Sequence, residues 1–252
     1  MRNTFDFRGR KVLVTGGARG IGLEFTRQLV AKGASVVAVG RDAATLDALQ
    51  AELGAAVATH RLDLSEPGAV HALAAWVLEE HADCSALVNN AAIMHHLDLT
   101  RDSLDRLGAI ETEIATNITA PLQLAVAMLP ALRVHRSAAI VNITSGLAIA
   151  PKRDAAVYCA TKAALRSFTR SLRDQCRAAD LPIQVSEAVM TLVDTTLSRR
   201  APVRKYPPSR AAADVIAGVE RGLEEIWIEK TRLLRVVHRL SPNLAYRIMR
   251  GR

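Results

Sequence analysis

The fold of this 252-residue chain is indicated by residues Lys11–Gly33, KVLVTGGARGIGLEFTRQLVAKG. This stretch opens with a short apolar run, passes through a glycine-rich turn at Thr15–Gly22, and continues with the apolar spacing of a helix. A strand that runs through such a turn into a helix is the building unit of parallel α/β proteins. This first apolar run is therefore predicted to be a strand of a parallel sheet.

Six further apolar runs alternate with segments of helical length. Because the runs are continuous rather than alternating, helices are predicted to cover both faces of the sheet. We therefore predict a single-domain, doubly wound (Rossmann) α/β fold with a parallel sheet of about seven strands and helices on both faces. The predicted strands are Lys11–Thr15, Ser35–Val39, Ala56–His60, Ala86–Asn89, Ala138–Ile143, Ile183–Ala188 and Glu225–Ile228.

The charge is concentrated at one end of the chain. The chain is 50% hydrophobic and 23% charged, as globular proteins are, and its formal net charge is +8. Residues 230–252 hold seven basic side chains and no acidic one, which leaves 26 basic and 25 acidic side chains in residues 1–229. We predict a Rossmann-fold domain over 1–229 and a basic amphipathic extension over 230–252.

The basic extension has the apolar spacing of a helix, at Leu233, Leu234, Val237 and Leu240. Packing on its own domain or at a subunit contact is the favoured interpretation, because Ser241-Pro242 and the short helix after it resemble a folded closure. An anionic membrane surface stays as an alternative. Nucleic-acid binding is not expected, since aromatic residues make up only 4% of the chain and the body has no basic stripe.

Cellular location and local irregularities are also indicated. The three cysteines form no CxxC pair, which predicts a reducing, cytoplasmic compartment. The N-terminus has no apolar core, so no signal peptide is expected.

The uncharged stretch Ile114–Leu132 contains polar residues and prolines, and it is predicted to be a buried helical region. Ser198–Arg210, with three prolines and five basic residues, is predicted to be a mobile loop.

The glycines of the first turn indicate a phosphate site. Gly16 allows a tight turn, Gly20 allows the backbone to approach a pyrophosphate, and Gly22 allows close packing of helix and strand. The phosphate would lie at the helix N-terminus, where free amides favour an anion. An ordinary glycine-rich turn is the alternative, but the position between the first strand and a helix favours nucleotide binding.

The second strand indicates which dinucleotide is bound. An NAD-preferring site has a carboxylate at the end of this strand, whereas this chain has Gly40 followed by Arg41. A guanidinium can bind a 2′-phosphate, and Arg19 could supply a second one. NADP(H) is therefore preferred over NAD(H), with solvated loop arginines as the alternative.

A serine, a tyrosine and a lysine stand at informative spacing. Ser145 follows the fifth strand, and Tyr158 and Lys162 lie four residues apart, on one face of the next helix. Together with the glycine loop and the Asn89-Asn90-Ala91 motif, in this order, the chain resembles the classical short-chain dehydrogenase/reductase family. The resemblance covers nearly the whole chain, and VSEAVMTLVDT at 185–195 is similar to the DltE-like branch.

The resemblance implies roles for individual residues. Tyr158 is expected to be the general acid/base, Ser145 to hold the substrate oxygen, Lys162 to contact Tyr158 and the nicotinamide ribose, and Asn117 to support a water-linked proton path. Tyr158 and Lys162 are thus also cofactor contacts. The other implied cofactor-binding residues are Gly16, Arg19, Gly20, Ile21, Gly22, Arg41, Asp63, Leu64, Asn90, Ala91, Val193 and Thr195.

The expected chemistry is hydride transfer between NADP(H) and a carbonyl or secondary alcohol. A phenol needs its pKa lowered by about two to three units, or about 3 to 4 kcal/mol, to act near neutrality. A lysine about 4 Å away at an effective dielectric near 20 offers about 4 kcal/mol. A non-catalytic NADP(H)-sensing protein is the alternative, and it would not need Ser145, Tyr158 and Lys162 together.

The sequence departs from the family pattern at two places. Ala92 replaces a family glycine, and Met190-Thr191 replaces Pro-Gly, so an altered turn with retained cofactor binding is expected.

The resemblance also implies a homodimer or homotetramer. Its subunit-facing helices are expected to be the helix carrying Tyr158 and the helix containing Leu122, Leu124, Val126 and Leu129. No metal site is expected, because the adjacent His95 and His96 cannot easily converge on one ion and no carboxylate or cysteine joins them at ligand spacing.

Overall fold

A computed structural model describes residues 4–100, 104, 106–198 and 204–251. Its centre is a seven-stranded sheet of order β3-β2-β1-β4-β5-β6-β7, in which all neighbouring strands are parallel. This confirms the predicted doubly wound fold. The strands are β1 Lys11–Thr15, β2 Ser35–Gly40, β3 Val57–Arg61, β4 Cys84–Asn89, β5 Ala138–Ser145, β6 Ile183–Met190 and β7 Glu225–Trp227.

Helices cover both faces of the sheet. One apolar core packs under α1, α2 and α8, and a second packs under α3 and α5–α7. Strands β4 and β5 are buried along their full length, which explains their unbroken apolar sequence. The helices are α1 Gly20–Ala31, α2 Ala43–Leu53, α3 Ala69–Glu80, α4 Arg106–Ile114, α5 Ala120–Ala127, α6 Leu129–Leu132, α7 Ala156–Ala178, α8 Pro208–Glu220, α9 Thr231–Leu240 and α10 Pro242–Met249.

The predicted helical region Ile114–Leu132 is helical throughout most of its length, with a π-helical turn at Ala115–Thr119. Leu124, however, is fully buried in the core under α5 and so is not a subunit-facing residue as expected. Val126 of the same helix is 57% exposed. Helical spacing identified an apolar helix correctly, but it did not separate the core-facing side from the outer side.

The predicted loop Ser198–Arg210 is shorter in the structure, because α8 already begins at Pro208. Proline is well tolerated in the first turn of a helix, where its missing N–H has no intrahelical partner. Residues 199–203 of this predicted loop lie outside the described residues. Within the described part of the chain, no helix has both the length and the hydropathy needed to cross a bilayer.

Parallel strand order determines where the predicted site residues meet. Thr15, Gly40, Asn89, Ser145 and Met190 all end strands at the carboxyl edge of the sheet. Side chains that follow these positions therefore come from distant parts of the sequence to one crevice.

Packing of α8 on β7 depends on a glycine. A Cβ built at Gly218 would lie 2.7–2.8 Å from three side-chain atoms of Ile226. Gly218→Ala is therefore expected to destabilise the protein by about 1–3 kcal/mol through overpacking, measured by urea unfolding. Gly108→Ala is the matched control, since its Cβ would meet nothing within 4 Å, and a small gain from helix propensity is expected. Equal stability of the two variants would contradict this packing.

Candidate active site

Three glycines of the turn between β1 and α1 lie where a larger residue would be strained or would clash. Gly16 and Gly20 have φ values of +65° and +54°, which other residues rarely adopt. A Cβ at Gly22 would lie 1.9 Å from the carbonyl oxygen of Gly16. The first turn of α1 has no side-chain cap. Its free backbone amides, together with the glycine turn, can therefore form a cradle for an anion.

The Asn-Asn-Ala segment after β4 is hydrogen-bonded to this turn. Thr15 Oγ1 accepts hydrogen bonds from the backbone N–H groups of Asn90 and Ala91, both at 3.0 Å. Asn90 Nδ2 donates to the Thr15 carbonyl at 3.0 Å and the Gly16 carbonyl at 3.3 Å. These bonds fix the two predicted cofactor segments relative to each other.

A basic cavity follows β2 and β3. Arg41 Nη1 pairs with Asp63 Oδ2 at 3.2 Å, and Arg61 Nε donates to the Arg41 carbonyl at 3.3 Å. Arg41, Arg61, Leu62 and Asp63 line a surface cavity of about 440 Å³. Sequence reasoning placed Arg41 and Asp63 here but missed Arg61, although its position at the end of β3 indicated the same edge.

The other predicted cofactor residues lie around these segments. Arg19 pairs with Asp42, the neighbour of Arg41. Ile21 packs against the core beneath the glycine turn, and Leu64 is buried on the opposite face of the sheet. Thr195 approaches the glycine turn, because a Cβ at Gly20 would lie 3.1 Å from Thr195 Cγ2.

The unusual turn after β6 has its own hydrogen bonds. Thr191 Oγ1 donates to Glu229 Oε2 at 2.9 Å. Val193 forms an isolated parallel bridge with Tyr206, and Ser198 Oγ donates to the Val193 carbonyl at 2.5 Å. A side-chain contact thus anchors the turn that carries Met190-Thr191.

Ser145, Tyr158 and Lys162 meet at the end of β5. All three are buried, with exposed fractions of 8%, 8% and 2%. Lys162 Nζ donates to the Ile143 carbonyl at 2.9 Å and lies 5.7 Å from the centroid of the Tyr158 ring. Ser145 Oγ accepts from the Leu147 N–H at 3.1 Å. The structure therefore brings the three residues together as the spacing predicted.

The pKa values of this group differ from the sequence expectation. Burial raises the pKa of Tyr158, and Cys159 and Glu113 add to the effect, while a hydrogen bond with Ser145 opposes it. Burial also lowers the pKa of Lys162 to about 8, against a smaller opposite effect of Glu113. The protein groups thus favour a neutral phenol, whereas the sequence argument expected a net lowering of its pKa by Lys162.

Asn117 lies in the π-helical turn and holds a loop. Its Oδ1 accepts from the Ile93 N–H at 2.9 Å, and its Nδ2 donates to the Ile93 carbonyl at 2.7 Å and to Thr161 Oγ1 at 3.3 Å. Asn117 therefore joins the segment after β4 to α7, the helix of Tyr158. Its side-chain amide is used in these three bonds.

Glu113 is a site residue that sequence reasoning missed. Its carboxylate is fully buried; Oε2 accepts from the backbone N–H of His95 at 3.0 Å and lies 3.0 Å from the ring Nδ1 of the same residue. Within the described residues, Oε1 has no hydrogen-bond partner. Glu113 precedes Asn117 by four residues, so both lie on one face and hold the Ile93–His95 loop. The four-residue spacing between Glu113 and Asn117 was the feature of the sequence that could have identified Glu113 as a site residue.

The two histidines pair with different carboxylates. His95 contacts Glu113, whereas His96 Nδ1 lies 3.2 Å from Asp154 Oδ2. Both carboxylates are distant in sequence from the histidines, so no local ligand spacing indicated these pairs. In the part of the chain that the structure describes, no group of three or more His, Cys, Asp or Glu side chains is placed to hold a metal ion.

The surroundings of Tyr158 are apolar on one side. Ala92, Met94, Leu147 and Leu197 pack against the cluster that contains Tyr158 and Cys159. The Tyr158 phenol thus lies against an apolar wall, and Ser145 and Lys162 are buried near it at the end of β5. This arrangement can transfer a proton to or from an oxygen bound at the end of β5.

Burial of Lys162 gives a prediction about stability. Its pKa of about 8 lies below the ordinary 10.5, so below pH 8 the ammonium is charged in both folded and unfolded states and the full cost of burial is present. That cost falls as the pH rises from 8 towards 10.5. Lys162→Met is therefore expected to raise the free energy of unfolding by about 1–3 kcal/mol at pH 7, and by less near pH 10.

Urea unfolding at both pH values measures this gain. Lys230→Met is the matched control, because the Lys230 side chain is 61% exposed and no comparable pH-dependent gain is expected. A destabilised Lys162→Met protein at pH 7, or a gain that does not change with pH, would contradict the account.

Comparison with known proteins identifies the family. Residues 10–204 match the family described as short chain dehydrogenase. The chain is 35% identical over 230 residues to the "Uncharacterized oxidoreductase DltE" of Bacillus subtilis (strain 168), covering 89% of this chain and 90% of that protein.

Two solved structures have the same fold. A metagenomic short-chain oxidoreductase in complex with NADP is 30% identical, with a TM-score of 0.74 and coverage of 88% of this chain and 97% of that one. A short chain dehydrogenase of Burkholderia cenocepacia J2315, in complex with NADP, is 24% identical, with a TM-score of 0.85 and coverage of 97% and 99%. The chain belongs to the short-chain dehydrogenase/reductase family of oxidoreductases and has a DltE-like relative.

Proposed function

We propose that this protein is an NADP(H)-dependent oxidoreductase that interconverts a carbonyl compound and a secondary alcohol. The observation that carries the proposal is the buried group Ser145, Tyr158 and Lys162 at the end of β5, on the same sheet edge as the glycine cradle. Membership of the oxidoreductase family supports it.

The residues present fit a dinucleotide phosphate. The first turn of α1 has no side-chain cap, so its backbone amides are open to a pyrophosphate, and a Cβ at Gly22 would overlap the Gly16 carbonyl. Arg41 and Arg61 line a cavity that suits a 2′-phosphate. Solved relatives in complex with NADP support this choice. The cofactor supplies or accepts the hydride when it is bound.

The chain's own residues handle the proton and the oxygen. In the reduction direction, Tyr158 Oη donates its proton to the carbonyl oxygen as the alkoxide forms, while Ser145 Oγ donates a hydrogen bond to the same oxygen. Lys162 contributes a positive charge that stabilises the phenolate left behind. Asn117 acts on the position of the Ile93 loop and of α7.

Protonation of Tyr158 favours reduction. Burial raises the pKa of Tyr158, so at neutral pH the phenol is in the form that donates a proton. Lys162 does not give the net lowering of the Tyr158 pKa that the sequence argument assumed, because burial of the phenol raises this pKa by more. Alcohol oxidation therefore needs further positive charge near the phenol, such as that of an oxidised nicotinamide ring.

A non-catalytic NADP(H) sensor is the alternative function. Such a protein needs the cradle and the basic cavity but has no need for a buried lysine beside a buried phenol. Burial of Lys162 lowers its pKa and costs stability, which supports catalysis over sensing. We also propose a cytoplasmic homodimer or homotetramer, in line with the three buried free cysteines and with the family resemblance.

Replacement of the phenol tests catalysis. Tyr158→Phe is expected to lower the rate of NADPH oxidation by at least about 100-fold, because the proton donor is lost. The assay follows NADPH absorbance over a panel of small and medium carbonyl compounds, with apolar members that fit the wall of Met94 and Leu147. Tyr246→Phe, a change in an exposed tyrosine of α10, is the control and should keep the parent rate. Parent activity of Tyr158→Phe on a true substrate would refute the mechanism.

Replacement of Arg41 tests the choice of cofactor. Arg41→Ala is expected to weaken NADPH binding about 10- to 100-fold, the size of a lost charged hydrogen bond, and to leave NADH binding nearly unchanged. Fluorescence titration with both nucleotides measures the two affinities. Arg221→Ala, an exposed arginine after α8, serves as the control. A parent protein that binds NADH more tightly than NADPH would overturn the assignment.

A further inference from the structure

The C-terminal helices α9 and α10 form a surface that the proposed function does not use. We call the exposed side chains of these two helices the tail surface, with Leu233, Val236, Leu240, Leu244 and Ile248 as its apolar members and Arg232, Arg235, Arg239, Arg247 and Arg250 as its basic members. The two helices pack against each other.

One face of α9 attaches the tail to the domain. Leu234 and Ala245 are buried against Ala150, and Thr231 Oγ1 donates to the Val189 carbonyl at 3.1 Å. A Cβ at Gly146 would lie 3.0 Å from Leu234 Cδ2. The tail therefore rests on the segment that follows Ser145, and its packing leaves the other faces of α9 outside.

A second face of α9 is apolar and exposed. Leu233, Val236 and Leu240 stand at i, i+3 and i+7, and their exposed fractions are 66%, 54% and 81%. In α10, Leu244 and Ile248 are 48% and 42% exposed. Large apolar side chains gathered in this way on an outer face mark an interaction surface.

A third face of α9 is basic. Arg232, Arg235 and Arg239 repeat the i, i+3, i+7 spacing beside the apolar stripe. Residues 230–252 contain seven basic residues and no acidic one. Within the ranges that the structure describes, no acidic side chain forms an ion pair with the arginines at positions 232–250. Arg232 Nε donates to the Trp227 carbonyl at 2.9 Å, and the Arg235 guanidinium lies 5.2 Å from the centroid of the Trp227 ring, but neither contact removes positive charge. Among the described residues, the surface thus combines exposed apolar groups with positive charge that no carboxylate pairs with.

The combination selects one class of partner. A second copy docking through a twofold axis would bring the arginines of one chain against those of the other, which is repulsive. A nucleic acid would leave the apolar stripe without a partner. A bilayer with anionic headgroups satisfies both features, because acyl chains accept the apolar stripe and the headgroups accept the guanidinium groups.

We propose that the tail surface binds the surface of an anionic lipid bilayer, with Leu233, Val236 and Leu240 inserted between lipids and the arginines on the headgroups. From the sequence, packing of this helix on its own domain or at a subunit contact was favoured over membrane contact. The structure makes the two compatible, because different faces of α9 serve them.

Co-sedimentation of the full-length protein with vesicles tests the proposal. Vesicles of phosphatidylcholine with phosphatidylglycerol are expected to bind the protein, and added salt should weaken this binding. Vesicles of phosphatidylcholine alone should bind it far less. The Tyr158→Phe protein is expected to bind equally, so the result does not depend on the proposed catalysis. No binding to the anionic vesicles would overturn the proposal.

Two double variants test the apolar and the basic members of the tail surface separately. Vesicle binding is expected to weaken about tenfold or more in the apolar double variant Leu233→Ser/Leu240→Ser. The same loss is expected in the basic double variant Arg239→Gln/Arg247→Gln. The matched controls are Val134→Ser, at a site 73% exposed, and Arg133→Gln/Arg136→Gln, at exposed arginines away from the tail. Both controls should bind as the parent does.

The same variants also distinguish membrane binding from docking of a second copy of the chain. Thermal unfolding shows that each variant is folded, and sedimentation velocity gives its oligomeric state. Tail variants that bind vesicles as well as the parent would contradict the proposal. A loss of oligomerisation in the tail variants, without vesicle binding by the parent, would assign the surface to a second copy instead.

Discussion

Parallel pairing of strands buried on both faces is the constraint on which this structure depends. It requires each strand to be followed by a crossover helix, and it brings the carboxyl ends of β1, β2, β4, β5 and β6 to one edge. The glycine turn, the basic cavity, the Asn-Asn-Ala segment and the catalytic candidates all follow these ends. Hydrogen bonds from Asn90 and Ala91 to Thr15 then hold the edge at its centre.

Two charged side chains are buried beside the Tyr158 phenol. Lys162 and Glu113 are buried within the electrostatic range of Tyr158, each at a cost that packing alone would not justify. Glu113 and Asn117 hold opposite ends of the Ile93–His95 loop from one helix face. The carboxylate thus fixes the loop beside the phenol, and it also opposes ionisation of that phenol. Burial of the phenol is the main cause of its raised pKa, and the Glu113 carboxylate adds to it, so Tyr158 is kept neutral.

The sequence was sufficient for features with a local pattern. Continuous apolar runs located the seven strands, mostly within one or two residues, and a four-residue spacing placed Tyr158 and Lys162 on one face. Contacts between distant segments had no such pattern, so the pairs His95–Glu113 and His96–Asp154 and the position of Arg61 beside Arg41 were missed. The pKa of Tyr158 was misjudged for a related reason. Burial of the phenol depends on Ala92, Met94, Leu147 and Leu197, which only the fold brings together.

Titration of the Tyr158 phenol tests the central claim most directly. The ultraviolet absorbance of phenolate is followed with pH for the parent protein and for Tyr158→Phe, and the difference isolates this tyrosine. Without nucleotide, phenolate from Tyr158 is expected only above the ordinary tyrosine pKa of about 10, because burial raises the pKa of this phenol. With NADP⁺ bound, ionisation should move to lower pH, because positive charge is added beside the ring. The same curve with and without NADP⁺ would contradict a phenol that faces a bound nicotinamide.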